Sequence, residues 1–423
     1  MCGGTVLTKA ENIQATRADA AQEVKVAYMM SRFPKITETF ILNEIVALKS
    51  QGVAVEVYPL WREKTDKMHP AAAALMDDVH FLPHLSLQMI RDNLRFALTK
   101  PVRYARTLGA LIAGNIGSTR YLLGAIAFFP KLATFARYME KEGISHIHAH
   151  FASHPAAAAY GLNQLTDINW SFTAHGSDLH RSQTMLARKV GTANFVVTIS
   201  NFNKRFMERH IDPRDSDKVH VVRCGVDPSL FKKTKKTDGF NIVCVGTLHE
   251  VKGQRFLIEA CAKLTDVDWH CDIVGDGPDR EMLEQQAHDL GIASRITFHG
   301  SCTSERVAQL MAKAQVACAP SMPTANGRRE GIPVVLMEAA ASSLPLVSSN
   351  LSGIPEIVRD GVNGFLTEPG DSDGIASALT RLGRDPALKA KMGEQSRSIA
   401  LDEFSLAKNT SRLKTLFHEA RSC

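Results

Sequence analysis

The 423-residue chain has no C-x-x-C pair among its eight cysteines (Cys2, Cys224, Cys244, Cys261, Cys271, Cys302, Cys318, Cys423). Cys244 in NIVCVG and Cys318 in QVACAP sit in apolar, strand-like runs, so free buried thiols in a reducing cytoplasm are expected. No apolar run reaches the length of about 18 residues that spans a bilayer. The best candidate, YLLGAIAFFP at Tyr121–Pro130, is too short and follows Arg120. Residues 1–22 lack a long apolar core and read as a disordered extension, not a signal peptide. The loop GDGPDRE after Val274 has no lysine and is not a G-x-G-x-x-G fingerprint, which removes P-loop and NAD readings of that segment. A net charge of +6 is small for this length and gives no footing for a nucleic-acid partner. That charge is concentrated: His84–Glu140 holds eight Lys/Arg against two acids, equal to the whole formal excess.

What is present is an ordinary globular composition, 44% hydrophobic and 22% charged, long enough for two or three domains. Val24–Met30 reads as a buried strand, followed by the loop SRFPKITET, a helix from Phe40 and the strand VAVEVYPL, a β-loop-α-β unit. After the basic helical segment 84–140 come the strands ISHIHAH, WSFTAH, FVVTIS and KVHVV. The polar run at 232–239 reads as a linker. Beyond it the strands NIVCV, WHCDIV, ITFH, QVACAP and PLVSS alternate with helices near 254–264, 280–290, 304–313 and 333–342. Such alternation predicts parallel, doubly wound sheets. The expected organisation is an N-terminal Rossmann-like domain at 23–231 and a C-terminal one at 240–400, facing across a cleft. A C-terminal helix at 401–423 should pack back on the first domain.

The most informative run is EGIPVVLME, with Glu330 and Glu338 eight residues apart. Pro333 suits the first position of a helix, where its missing N–H is not needed. Glu330 then lies in the preceding loop and Glu338 about one and a half turns inside the helix. The N–H groups of Gly331, Ile332 and Val334 form a ready anion site between them. A ligand with a central diphosphate and hydroxyls at both ends, such as a nucleotide-sugar, matches that layout; two surface acids at a helix start are the bland alternative. The loop GTLHEVKG supplies Gly246, Thr247 and the mobile cation Lys252 at a strand's carboxyl end. Gly275 opens a further loop that could line a base. His175, before GSD, ends another strand and faces the expected cleft. His146, His148 and His150 share one strand face, a pattern that raises a metal site, but the additional ligands of metal hydrolases are missing and none is assigned. The D-x-D triplets Asp215/Asp217, Asp266/Asp268 and Asp371/Asp373 sit in polar turns and read as solvated.

In order, VGTLHEVKG, VGDGP, ACAPS, EGIPVVLMEAAASSLPLVSS, GIPEIVRDGVNGFL and PGD resemble the group-1 glycosyltransferases, the retaining family four of the GT-B fold. SRFPKITETFILNEI, HAHFA and FTAHGSD resemble its bacterial exopolysaccharide and colanic-acid-type branch. The resemblance implies a nucleotide-sugar donor as co-substrate, no metal or other cofactor, and a saccharide or polyprenyl-linked acceptor. Glu338 would hold ribose hydroxyls, Glu330 the donor sugar, and the amides around Gly331, Ile332, Pro333 and Val334 the distal phosphate. Lys252 would neutralise the leaving diphosphate, and His175 would lie near the reacting carbon. Thr37, Glu38 and Thr39 would face the acceptor. Two departures stand out. Thr247 occupies a position where the family often carries arginine, leaving Arg181, Arg328 or Arg329 as substitute cations, and SRFPKITET lacks the Gly-Gly of the family's N-terminal loop. The basic segment suggests contact with an anionic membrane surface, the inner face of the plasma membrane, against the alternative of a solvated helical face. The competing function is a non-catalytic sugar-nucleotide-binding regulator. A phosphorylase would need a pyridoxal lysine context that the sequence does not show.

Overall fold

The computed structural model describes residues 24–35, 38–64, 68–83, 85–231, 239–325 and 327–421. The expected extension at 1–22, nearly all of the linker at 232–239, and Thr37 lie outside the described residues.

Among the described residues, the strands form two six-stranded parallel sheets. The first contains β1 (Lys25–Phe33), β2 (Ala54–Arg62), β3 (His146–His150), β4 (Asn169–Ala174), β5 (Phe195–Thr198) and β6 (Val219–Val221), in the order β2-β1-β3-β4-β5-β6. The second contains β7 (Phe240–Val245), β8 (Trp269–Val274), β9 (Ile296–Phe298), β10 (Val316–Ala319), β11 (Leu346–Ser349) and β12 (Gly364–Thr367), in the order β12-β11-β10-β7-β8-β9. Each sheet reverses direction of winding once, between β1 and β3 and between β7 and β10. In open parallel sheets the crevice at the carboxyl ends of such a strand pair is where ligands bind.

The strands read as continuous apolar runs because helices cover both faces. Along β1, Ala27 and Met29 enter one core, whereas Val26, Tyr28 and Met30 enter the other. In β7, Val243 faces one core and Ile242 and Cys244 the opposite one. The basic segment is three helices, Leu87–Thr99, Pro101–Asn115 and Thr119–Lys141.

The C-terminal helix needs a boundary correction. Residues 401–403 finish the helix Pro386–Glu403, and a separate helix, Leu406–Arg421, follows. At the break, Val226 N donates to Phe404 O and Leu406 N to Val226 O. Leu413, Leu416, Phe417 and Ala420 then join the core built on β1 and helix Thr39–Ser50. Each large apolar side chain so buried contributes about 1.5–3 kcal/mol, enough to fasten the last helix to the first sheet. Arg223 and Asn201 bind the Glu356 carboxylate at 2.8 and 3.2 Å, a second tie between the halves.

Candidate active site

The reversal point of the second sheet gathers residues that are far apart in sequence. β7 and β8 are neighbours, and the residues after them cross closely: Gly246 N donates to Val274 O at 2.9 Å. A Cβ on Gly275, at φ +139°, would lie 2.0 Å from Gly246 O, so no other residue fits. Thr247 is exposed and accepts from Gln254 through its carbonyl at 3.1 Å. The short turn Glu250–Lys252 brings Lys252 back over this edge.

Glu330 follows β10, the other strand of the reversal, and its Oε2 lies 3.0 Å from Lys252 Nζ, with both side chains mostly buried. The sequence assigns Lys252 to the phosphates and Glu330 to the sugar; in the structure the two pair with each other. The next residue, Gly331, touches the opposite domain. A Cβ there would stand 2.4 Å from His175 O and 2.8 Å from Ile199 Cδ1, so any side chain would push the halves apart. Ser177 Oγ donates to Arg329 O at 2.9 Å alongside. The N–H groups of Gly331 and Ile332 have no acceptor among the described residues.

One helix boundary shifts. The helix is Val334–Ala341, and Pro333, expected as its first residue, is the cap with extended ψ of 127°. Its ring still excludes a donor from the start of the helix, leaving Val334 as the first free amide. Glu338 sits one turn further in, half-buried, and burial pushes its carboxyl up to about 7.

Across the cleft, His175 follows β4. Asp178 fixes its backbone: the carboxylate accepts from Ala152 N (2.8 Å), His175 N (3.1 Å) and Gly176 N (2.7 Å). Asn203 Nδ2 donates to His175 O at 3.2 Å. Burial, then the neighbouring His150, holds the His175 ring well below the usual histidine range, so it is neutral near pH 7. Sequence reasoning missed Asp178 and Asn203 as supports. The first was readable in FTAHGSD, where an aspartate two residues past a glycine can bind its own loop's amides.

Glu38 is nearly buried; one oxygen pairs with Lys35 at 2.5 Å and the other has no partner among the described residues. With Thr39, Arg32, Phe33 and His69 it lines a pocket beside β1. Of the candidate substitute cations, Arg328 Nη1 lies 3.5 Å from His249 on the Gly246–Gly253 loop, Arg329 has its Nε buried without a partner among the described residues, and Arg181 is exposed. The aspartate triplets are spent elsewhere: Asp266 on Arg384, Asp268 on Arg295, Asp373 on Lys263, and Asp371 caps a helix. Glu44, His148 and His150 place ligand atoms within 4.8 Å of one another, the right donor types for a metal. However, both nitrogens of His148 already bond Ser171 (2.7 Å) and Thr173 (2.9 Å).

Paired doubly wound domains with a cation, a carboxylate and unbonded amides just before a helix at one reversal point fit the GT-B architecture. The profile described as "Glycosyl transferases group 1" matches residues 226–399, and that described as "Glycosyltransferase Family 4" matches 37–230. The chain belongs to the group-1 glycosyltransferases. The amylovoran biosynthesis glycosyltransferase AmsK of Erwinia amylovora is 28% identical, covering 86% of this chain and 92% of its own. A GDP-mannose-dependent α-(1-6)-phosphatidylinositol monomannoside mannosyltransferase of Mycolicibacterium smegmatis is 30% identical, covering 63% of this chain and 73% of its own. Among solved structures, Anabaena HepE in complex with UDP superimposes with a TM-score of 0.72 at 19% identity, covering 93% of this chain and 100% of that one. Among the described residues, no helix is long and apolar enough to cross a membrane.

Proposed function

We propose that this glycosyltransferase is a retaining, metal-independent hexosyltransferase. In this reading it moves a hexose from a nucleotide-diphosphate sugar to a lipid-linked saccharide in exopolysaccharide or other surface-glycan synthesis, at the inner face of the plasma membrane. The observation that carries the reading is the Lys252–Glu330 pair beside the open amides of Gly331 and Ile332. A diphosphate entering there takes Lys252 and the amides, and frees Glu330 for sugar hydroxyls. Charge at the leaving group is then balanced by groups of the chain itself. Asp178 is committed to three backbone amides and is a poor nucleophile, which argues against a covalent intermediate on it; retention in this reading runs by same-face attack, with the leaving phosphate taking the acceptor proton. AmsK, by its name, acts in amylovoran synthesis, and HepE binds UDP; these support the donor class and the product class.

The direct test is donor hydrolysis without acceptor, across UDP-, GDP- and ADP-hexoses. Hydrolysis is expected with one of them, and Glu330→Ala should reduce it by about 10²-fold or more. Absence of turnover with every donor, together with tight nucleotide-sugar binding, would establish the regulator instead. Inversion of the anomeric centre, read by NMR of the product, would overturn retention.

Glu338 gives a second expectation. Ribose hydroxyls donate to a carboxylate, so binding the nucleotide requires Glu338 ionised. With its carboxyl at about 7, the dissociation constant of the free nucleoside diphosphate should rise roughly tenfold from pH 8 to pH 6, with proton release on binding. Calorimetry in two buffers of different ionisation heat reads this, and Glu338→Gln should remove the pH dependence. A flat profile in the wild type would argue against Glu338 as the ribose ligand.

The membrane reading is supported by an apolar ridge on the outer face of helix Leu87–Thr99. Leu87, Ile90, Leu94 and Leu98 recur at helical spacing and are all more than half exposed. Val102, Leu123 and Ile126 on the next two helices are exposed as well, as are Arg91, Arg95, Arg106 and Arg120. Not every base of the segment faces outward: Lys131 is buried on Leu60 O at 2.6 Å, and Arg137 pairs with buried Asp92. Binding to anionic vesicles in a flotation assay is expected, and Leu94→Glu/Leu98→Glu should abolish it with the fold intact. Equal recovery of both proteins from the bottom fraction would discard the membrane reading.

A further inference from the structure

The reversal point of the first sheet carries a second constellation that reaches the candidate active site. Helix Thr39–Ser50 follows β1, and β3 lies beside β1, so Tyr28, Glu44 and His150 meet there. Glu44 Oε1 accepts from Tyr28 OH at 2.7 Å and stands 3.2 Å from His150 Nε2. The carboxylate is off the line of the ring N–H, so His150 Nε2 is a buried atom without an aligned partner. The other nitrogen, His150 Nδ1, lies 3.1 Å from His175 Nε2. His150 is fully buried, and Phe40 and Phe151 flank His175 with ring centroids at 4.8 and 4.9 Å. His148 cannot compete, since Ser171 and Thr173 hold both of its nitrogens.

One hydrogen must lie between the two facing imidazole nitrogens, and which ring supplies it follows from the far end of the chain. A carboxylate favours the hydrogen on the nitrogen nearest to it. With its hydrogen on Nε2, His150 offers a lone pair at Nδ1. His175 Nε2 must be the donor, which leaves His175 Nδ1 unprotonated. That atom has no protein partner among the described residues and is not enclosed.

We propose that Glu44 and His150 are positioning residues that hold His175 as its Nε2–H tautomer, so that His175 presents a hydrogen-bond acceptor to a hydroxyl of the bound sugar. This rests on the reading of His175 as a donor-site residue. Neither Glu44 nor His150 touches the sugar; they act through His175.

The test uses the full chain labelled with ¹⁵N-histidine. In the wild type, His175 should show an unprotonated Nδ1 and a protonated Nε2, assigned by His175→Asn. In Glu44→Gln the charge that holds the hydrogen on His150 Nε2 is removed, and a carboxamide N–H₂ at the Oε1 position donates to that nitrogen, at the expense of the Tyr28 bond to the same atom. The hydrogen of His175 should then move to Nδ1, and kcat/KM for the nucleotide-sugar should fall by about 10²-fold, the scale of a misplaced contact at a reacting centre. Affinity for the free nucleoside diphosphate, which lacks the sugar, should stay within twofold, and this separates loss of positioning from a damaged fold. His150→Ala should give the same split. A protonated Nδ1 in the wild type, or a His175 tautomer unchanged in Glu44→Gln, would overturn the proposal. If the tautomer moves as stated but His175→Asn leaves transfer intact, it is the donor-site reading of His175 that fails.

Discussion

Replacing Lys252 by alanine is expected to lower the turnover of donor by about 10²–10³-fold, the usual cost of removing one preorganised group from the developing charge of a leaving group. Three features make the effect large here. Thr247, on the same loop, carries no charge, so Lys252 is the formal cation that the Gly246–Gly253 loop brings to this edge. The site is mostly closed to water around the pair, which strengthens any charge interaction within it. And Lys252→Ala leaves Glu330 without its partner at 3.0 Å, placing an uncompensated carboxylate beside an incoming diphosphate. KM should rise as well, because repulsion acts on the ground state too. Arg328, beside His249 on that loop, is the side chain best placed to help. Arg328→Ala alone should cost less than Lys252→Ala, and the double variant should lose more than either. Single-turnover rates at saturating donor are the measurement. A Lys252→Ala rate within threefold of the wild type would mean that the amides before and at the start of helix Val334–Ala341 carry the leaving group unaided.

That pairing also shows what the sequence could and could not reveal. The loops, their glycines and the two glutamates were legible because each local signal has a local cause: Pro333 marks a helix start, and Gly275 marks a crossing. The Lys252–Glu330 contact joins residues 78 apart and depends on β7 and β10 being neighbours, an ordering that strand identity alone does not fix. The histidine run is a sharper case. Alternation along β3 correctly puts His146, His148 and His150 on one face. Their partners lie in WSFTA, where Ser171 and Thr173 have the same two-residue period. In the parallel register His148 meets Ser171 and His150 meets Thr173. The hydroxyls that satisfy His146 and His148 were therefore visible in the sequence, but the register was not. Helices Ser372–Arg384 and Pro386–Glu403 and the strand β12 were not distinguished. β12 has four residues between turns, and Gly393 interrupts the second helix with a residue of poor helix propensity. Its lack of a Cβ is what lets the helix approach Ser343 O, 2.3 Å from where that atom would stand.

Acidification below pH 6.5 should destabilise the first domain steeply. Burial holds His146 down to about 3, and His148 and His175 well below the ordinary value of 6.5. Between those folded values and 6.5, the unfolded chain binds protons that the native chain does not. Stability therefore falls with falling pH by about 1.4 kcal/mol per unit for each such group, or about 4 kcal/mol per unit for the three. Set against a typical total of roughly 5–15 kcal/mol, one unit is a large fraction. Glu338 has the opposite sign. With its folded value raised to about 7, the native state takes up a proton there first, and stability rises by about 1.4 kcal/mol per unit as pH falls from 7 towards the unfolded value. The three histidines belong to the first sheet and Glu338 to the second, so the terms act in different places. If the halves unfold together, the net loss from pH 6.5 to 5.5 is about 2 kcal/mol, because each histidine reaches its full slope only below 6.5, and Glu338→Gln should steepen it. If they unfold separately, hydrogen exchange should quicken on β3 and β4 while β10 and β11 hold. Urea midpoints and exchange rates that stay flat from pH 7.5 to 5.5 would mean that the histidines are protonated in the native protein. The neutral His175 on which the acceptor role depends would then be lost as well.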